Sequence, residues 1–85
     1  MSYFIYAIYN LQNDNIYIGQ TIDLVARLKQ HNDPSFPKFT SRYCGDWVLV
    51  YEESVVSRLE AKIREKQLKS YQGRKFVRDK IKIRE

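Results

Sequence analysis

The sequence predicts one small domain of the α/β (α+β) class, a three-stranded antiparallel sheet flanked by helices in the order β-β-α-β-α-α. Two runs rich in aromatic and β-branched residues lie on either side of a polar turn, which is typical of a hairpin. Apolar residues at helical spacing twice follow residues that favour helix N-caps, which indicates amphipathic helices. The 85 residues, 44% of them hydrophobic and 29% charged, suffice for one modest core, so we expect residues 1–85 to form a single domain.

The predicted strands are residues 3–9, residues 16–19 and residues 47–51. The first two enclose a polar loop over residues 10–15, which favours a hairpin. A long surface loop over residues 33–46, which contains two prolines, separates the hairpin and the first helix from the third strand.

Cap residues and apolar spacing predict the helices. Asp23 caps the first helix, which Asn32-Asp33-Pro34 ends, and its apolar face carries Leu24, Leu28 and His31 at i, i+4 and i+7. Ser54 caps a second helix that runs to about Tyr71, with an apolar stripe of Val55, Leu59 and Ile63. Gly73 breaks this helix, and a short basic helix follows.

The hairpin register links two tyrosines. A six-residue loop pairs Tyr9 with Ile16, which places Tyr6 opposite Gly19 and projects both Tyr6 and Tyr17 from one sheet face. Gly19 then leaves an open space beside Tyr6. Strand tyrosines are usually packing residues, but two phenols beside a position without a side chain favour a functional site.

Charge is distributed unevenly along the chain. Residues 1–57 hold four basic and six acidic residues, whereas residues 58–85 hold eleven basic and four acidic ones, within an overall net charge of +5. This basic segment is either a phosphate-binding surface or a solvated helical face. The candidate nucleic-acid-binding residues are Lys69, Arg74, Lys75, Arg78 and Lys82.

Cysteine and histidine content limits the possible cofactors and location. Cys44 is the only cysteine and His31 the only histidine, which excludes zinc sites of the usual composition and favours oxygen ligands for Mg²⁺ or Mn²⁺. A lone cysteine fits a reducing cytoplasm. No apolar run is long enough to span a membrane, and the first residues lack the features of a secretory signal, so we expect a cytoplasmic protein without membrane partners. The sequence gives no indication of an oligomer.

Charged residues on the two main helices complete the candidate site. Arg27 and His31 lie at i, i+4 and share a face; alone, each is usually structural, but together they can bind a phosphate and move protons. Glu65 shares a helix face with the apolar Ala61 and Leu68, whereas Glu60 lies at the surface beside Arg64 as an i, i+4 ion-pair partner. A carboxylate on an apolar face needs a cation, either Arg27 or a metal ion.

Together these residues resemble the GIY-YIG nuclease core. The matching segments are Phe4-Ile5-Tyr6, Ile16-Tyr17-Ile18-Gly19-Gln20-Thr21, Asp23-Leu24, Arg27-Leu28, Gln30-His31-Asn32, Glu60-Ala61 and Arg64-Glu65-Lys66-Gln67-Leu68-Lys69. They are similar to those of the small, URI-type members and of the N-terminal nuclease domain of the excision-repair C subunit, and the resemblance covers residues 3 to about 83. Two departures are Phe4, where the family has the glycine of GIY, and the absence of a late asparagine after Asn32.

The resemblance implies a divalent-metal-dependent endonuclease that hydrolyses DNA through one metal ion, with branched or single-stranded DNA as candidate substrates. It implies catalytic roles for Tyr6, Tyr17, Arg27, His31 and Glu65, with Glu65 as the metal ligand for Mg²⁺ or Mn²⁺ and Arg27 as the phosphate-binding group. The general base is one of Tyr6, Tyr17 and His31. The alternative is a catalytically silent nucleic-acid-binding or protein-interaction module on the same scaffold.

Overall fold

The predicted order of elements is confirmed by the structure, a computed structural model that describes residues 2–33 and 47–84 and the side chains as far as Ile81. The elements are β1 (Tyr3–Asn10), β2 (Asn15–Thr21), α1 (Leu24–Asn32), β3 (Trp47–Val55), α2 (Arg58–Lys69) and α3 (Tyr71–Arg84). The predicted loop over residues 33–46 lies, from residue 34 onward, outside the described residues. No described helix combines the length and apolarity needed to cross a membrane.

β1 is the central strand of a three-stranded antiparallel sheet with the order β2-β1-β3. The predicted hairpin register is confirmed, since Tyr6 lies opposite Gly19 and Tyr9 opposite Ile16. The predicted six-residue loop was wrong, because Asn10 and Asn15 also pair and leave a four-residue turn. Shortening the loop by one residue at each end keeps the register, so every side chain stays on its predicted face.

The sheet is covered on both faces. One face of β1 and β2 packs with α2 and α3 in a core that contains Ile5, Ala7, Tyr9, Ile16, Ile18, Val50, Ala61, Leu68, Val77 and Ile81. The other face carries Tyr6, Ile8 and Trp47, against which Tyr17, Leu24, Leu28 and Leu49 pack. Alternation along the strands therefore sends both phenols to the α1 side of the sheet.

The start of α2 differs from the prediction. β3 continues to Val55, and Ser54 pairs with Phe4 within the sheet instead of capping a helix. Ser57 is the N-cap, and its hydroxyl accepts from the Glu60 backbone N–H at 3.1 Å. The sequence favoured the earlier serine because both serines precede apolar residues and both are good caps.

The predicted apolar stripe of α2 was also wrong. Leu59 and Ile63 are 68% and 51% exposed, whereas Ala61 and Leu68 are buried against the sheet. Small Ala61 allows the helix backbone to approach the sheet closely, and Leu68 fills the space two turns further along the same helix face.

Gly73 does not break a helix. The interruption falls at Ser70, and Gly73 lies in the first turn of α3. A Cβ on Gly73 would run into the backbone of Gln67 and Leu68, so the glycine allows the start of α3 to pack directly on the end of α2.

Candidate active site

A buried hydrogen bond between Tyr6 and His31 forms the centre of the site. The Tyr6 hydroxyl lies 2.7 Å from His31 Nε2, and the two side chains are 1% and 2% exposed. Arg27 Nε also donates to the Tyr6 oxygen, at 3.4 Å. Which of the two donates to the other depends on the tautomer of His31, and the Tyr6 oxygen, with two acceptor sites, can accept from Arg27 in either case.

Helix α1 brings His31 to this position. Asp23 caps the helix by accepting from the Ala26 backbone N–H at 3.1 Å, and the leucines on its inner face pack on the sheet. At the other end, the Asn32 side chain accepts from the Trp47 backbone N–H at 2.7 Å and donates to the Trp47 carbonyl at 3.1 Å. These two hydrogen bonds to β3 fix the helix end that carries His31. Sequence reasoning missed this role of Asn32, since nothing in the sequence identifies its partner.

Arg27 is held from two sides. Its Nε donates to Tyr6, and its Nη1 donates to Gln30 Oε1 at 3.1 Å. The hydrogen bond to Tyr6 is the main reason that the pKa of Arg27 is raised above its usual value. Gln30 is a second residue that sequence reasoning missed, although its i, i+3 spacing from Arg27 places the two on one helix face.

Gly19 determines how closely the two phenols approach each other. A Cβ at Gly19 would lie 2.8 Å from the Tyr6 oxygen and 3.0 Å from Tyr17 Cε1. The expected open space beside Tyr6 is therefore filled by the tyrosine rings themselves. Tyr17 is half-buried, and its ring centroid lies 4.8 Å from that of His31 and 6.3 Å from that of Tyr6.

Burial raises the pKa of Tyr6 to about 12. The Arg27 hydrogen bond opposes this shift, and the negative charges of Tyr17 and Glu65 add to it. Near neutral pH, Tyr6 is therefore a neutral phenol, and a phenolate at this position would lack the solvation it needs.

Glu65 reaches the site from the other layer of the fold. α2 packs on the sheet face opposite the phenols, through Ala61 and Leu68. The Glu65 side chain is 23% exposed and lies 3.7 Å from Lys69 Nζ. Within the described part of the chain, no ion pair joins Glu65 to Arg27. Its charge nevertheless contributes to the raised pKa of Tyr6, so the carboxylate lies within electrostatic range of the phenol.

Arg64 shows which strand Glu65 faces. Arg64 and Glu65 are about 100° apart on α2 and lie on opposite flanks of its buried face. Arg64 forms an ion pair with Glu53 of β3 at 2.5 Å. The Glu65 flank therefore faces the other edge strand, β2, which carries Tyr17 and Gly19.

The predicted Glu60–Arg64 pair was wrong. Glu60 instead accepts from the Val56 backbone N–H at 3.3 Å, at the start of α2, where unpaired N–H groups and the helix dipole favour an acid. Arg64 is bound by Glu53, which also accepts from the Tyr51 hydroxyl at 2.7 Å.

The predicted nucleic-acid-binding residues do not form one uniform surface. Arg74 Nε donates to the Lys69 carbonyl at 3.3 Å, and Arg78 forms an ion pair with Asp14 at 3.1 Å. Lys75 is exposed. Lys82 lies in α3 beyond the side chains that the structure describes.

Glu65 is the candidate metal ligand. Across residues 2–33 and 47–81, no three His, Cys, Asp or Glu side chains gather into a ready-made metal site. A single partly exposed carboxylate fits Mg²⁺ or Mn²⁺ with a shell completed by water and phosphate oxygens, because these ions keep several waters and bind readily through one or two carboxylates.

Comparison with known proteins identifies the domain. The family model of the GIY-YIG catalytic domain matches residues 2–77, which include every candidate catalytic residue. Neither a curated protein nor a solved structure matches the chain.

Proposed function

The chain belongs to the GIY-YIG family, whose members are nucleases that act on nucleic acid, and we propose that it is a divalent-metal-dependent endonuclease that hydrolyses phosphodiester bonds in DNA. The observation that carries this proposal is the convergence of Tyr6, Tyr17, Arg27 and His31 on one sheet face. A plain packing cluster would not require a guanidinium held in place above a buried phenol–imidazole pair.

Arg27 is the group that we assign to the scissile phosphate. The bonds to Tyr6 and Gln30 fix the plane of the guanidinium before substrate binds. Preorganised donors of this kind stabilise the charge that develops on phosphate oxygens during attack. Both of these partners are uncharged, and no carboxylate among residues 2–33 and 47–81 forms an ion pair with the guanidinium.

Tyr6 and His31 hold the site, and Tyr17 is the phenol that we assign to the attacking water. Tyr6 keeps its proton near neutral pH and is almost fully buried, so it cannot accept a proton from a water in the open part of the site. Tyr17 is half-buried and packs on His31. The Tyr17 hydroxyl can therefore hydrogen-bond the attacking water and orient it in the open part of the site.

Glu65 is the residue that would hold the divalent cation. When bound, such an ion supplies Lewis-acid polarisation of the phosphate and stabilises the leaving oxygen. The carboxylate is positioned by α2 and held at 3.7 Å from Lys69. With only one protein carboxylate, we expect weak cation binding in the absence of substrate.

The test is a cleavage assay on single-stranded, duplex and branched DNA, with matched RNA substrates, in Mg²⁺, Mn²⁺ or chelator. Wild type should cut at least one DNA substrate in a metal-dependent manner. Glu65→Gln should abolish cleavage and retain binding, whereas Glu60→Gln, a matched change on the same helix, should cleave like wild type. Tight binding by wild type without cleavage of any substrate would favour the silent binding module, and equal activity of Glu65→Gln and wild type would exclude Glu65 as the metal ligand.

A further inference from the structure

Four basic side chains form a ridge along one flank of α2. Arg58, Lys62, Lys66 and Lys69 are all exposed. Helical geometry places them between about 20° and about 100° from Glu65, on the side away from the buried Ala61 and Leu68. We call these four residues the α2 ridge.

The α2 ridge faces the same edge of the sheet as Glu65. The opposite flank of α2 is tied to β3 by the Arg64–Glu53 ion pair, and the sheet order puts β2 at the far edge from β3. The ridge therefore runs along the β2 side of the helix, next to the strand that carries Tyr17. Of the two acidic residues within α2, the one that adjoins this flank is Glu65, the candidate metal ligand.

The residues of the α2 ridge also form fewer contacts with other groups of the protein than the basic residues of α3 do. Arg78 is bound to Asp14, and Arg74 donates to a backbone carbonyl. By contrast, no ion pair engages Arg58, Lys62 or Lys66 among the residues that the structure describes. An exposed cation that is not in an ion pair can bind a phosphate and release its counterions without first losing a contact within the protein.

We propose that the α2 ridge is the track along which the phosphate backbone of the substrate strand leads to Glu65. From Arg58 to Lys69 the ridge extends for about 16 Å, which corresponds to about five nucleotides at the spacing of a stacked strand. The proposal rests on the nuclease function and assigns the binding surface to α2 instead of the predicted α3 set. Lys69 belongs to both sets and adjoins Glu65, so it is left unchanged in the test.

The test compares two variants with the same change in charge. Lys62→Gln/Lys66→Gln removes two charges from the α2 ridge, and Arg74→Gln/Lys75→Gln removes two from α3. Binding of a labelled single strand and of a labelled duplex is measured over a range of salt concentrations, in chelator so that no cleavage occurs. Neutralising the ridge should reduce the slope of log K against log salt by about 1.4 for the single strand and about 1.8 for the duplex, and neutralising α3 should change it by less than half as much.

Equal slopes for both variants, or a larger change for the α3 variant, would overturn the proposal. Metal-dependent cleavage by wild type, measured separately, shows whether the nuclease function stands in either case. Thermal unfolding of both variants serves as the control for folding, and we expect midpoints within a few degrees of wild type, because the substituted side chains are at the surface.

Discussion

Gly19 is the position at which the smallest change should disturb the site most. In Gly19→Ala the new Cβ would lie 2.8 Å from the Tyr6 oxygen and 3.0 Å from both Tyr6 Cζ and Tyr17 Cε1. Tyr6 cannot simply move away, since it is 1% exposed and hydrogen-bonded to His31 at 2.7 Å. The glycine is needed here for close approach of the tyrosine rings, and its substitution therefore tests packing at the site.

Two effects of opposite sign determine the change in stability. Overpacking a well-filled site costs about 1 to 3 kcal/mol. Replacing glycine reduces the entropy of the unfolded chain, which offsets about 0.4 to 1 kcal/mol of that cost. We expect Gly19→Ala to lower the free energy of unfolding by about 1 to 2 kcal/mol. Turnover should fall on the order of 10²-fold, because displacement of the Tyr6 hydroxyl also misplaces Arg27.

Denaturant unfolding of a double-mutant cycle with Tyr6→Phe isolates the contact. Tyr6→Phe removes the atom at 2.8 Å and leaves the contacts at 3.0 Å, so the double variant should be more stable than the sum of the single changes predicts, by at least about 0.5 kcal/mol. Activity should not recover, because the phenol is absent. Strict additivity, or a Gly19→Ala protein as stable and active as wild type, would refute the close-packed geometry.

Three further predictions follow from the contacts of the site. Burial raises the pKa of Tyr6 to about 12, so as the pH rises the unfolded chain loses this proton before the folded protein does. Between about pH 10 and pH 12 the free energy of unfolding of wild type should therefore fall by about 2 to 3 kcal/mol more than that of Tyr6→Phe. Parallel curves of unfolding free energy against pH, from denaturant unfolding, would contradict this. Gln30→Ala should lower kcat roughly tenfold with KM changing less, since it frees Arg27 without removing it, whereas Arg27→Ala should cost on the order of 10²-fold or more; equal kcat for Gln30→Ala and wild type would exclude the positioning role. Asn32→Ala should destabilise the fold by about 1 to 3 kcal/mol through loss of the two hydrogen bonds to the Trp47 backbone, which unfolding midpoints can check.

The register of the hairpin could be predicted from the sequence because it does not depend on the exact length of the loop, provided that both ends of the loop change by the same number of residues. The loop is two residues shorter than predicted, yet Tyr6 still faces Gly19 and shares a face with Tyr17. A symmetric change in loop length leaves strand alternation unaffected. Likewise, the Asp23 cap and the i, i+4, i+7 spacing that follows it predicted that His31 lies on the inner face of α1, where the structure buries it against Tyr6.

The rotation of α2 could not be predicted in the same way. Leu59 and Ile63 form one apolar stripe on α2, and Ala61 and Leu68 form another. Hydrophobicity alone predicts that the stripe with the larger residues is the buried one. The structure buries the second stripe and leaves the first exposed. A choice between two such stripes depends on tertiary contacts that local pattern does not contain, including how closely a small residue lets the helix approach the sheet.

One of those contacts connects the far edge of the sheet to the candidate metal ligand. Arg64 and Glu65 are consecutive, so fixing the direction of one side chain from α2 also fixes the other, about 100° away. Arg64 is fixed by Glu53, which the Tyr51 hydroxyl holds in turn. Had Arg64 paired with Glu60, as i, i+4 spacing suggests, no bond to β3 would set the rotation of the helix. The Glu53–Arg64 pair lies on the sheet face opposite the phenols, and together with the burial of Ala61 and Leu68 it sets the rotation that turns Glu65 towards β2. The position of Glu65 relative to Arg27 therefore depends on how the helices pack on both faces of the sheet, which explains why Glu65 could be recognised in the sequence while its placement could not.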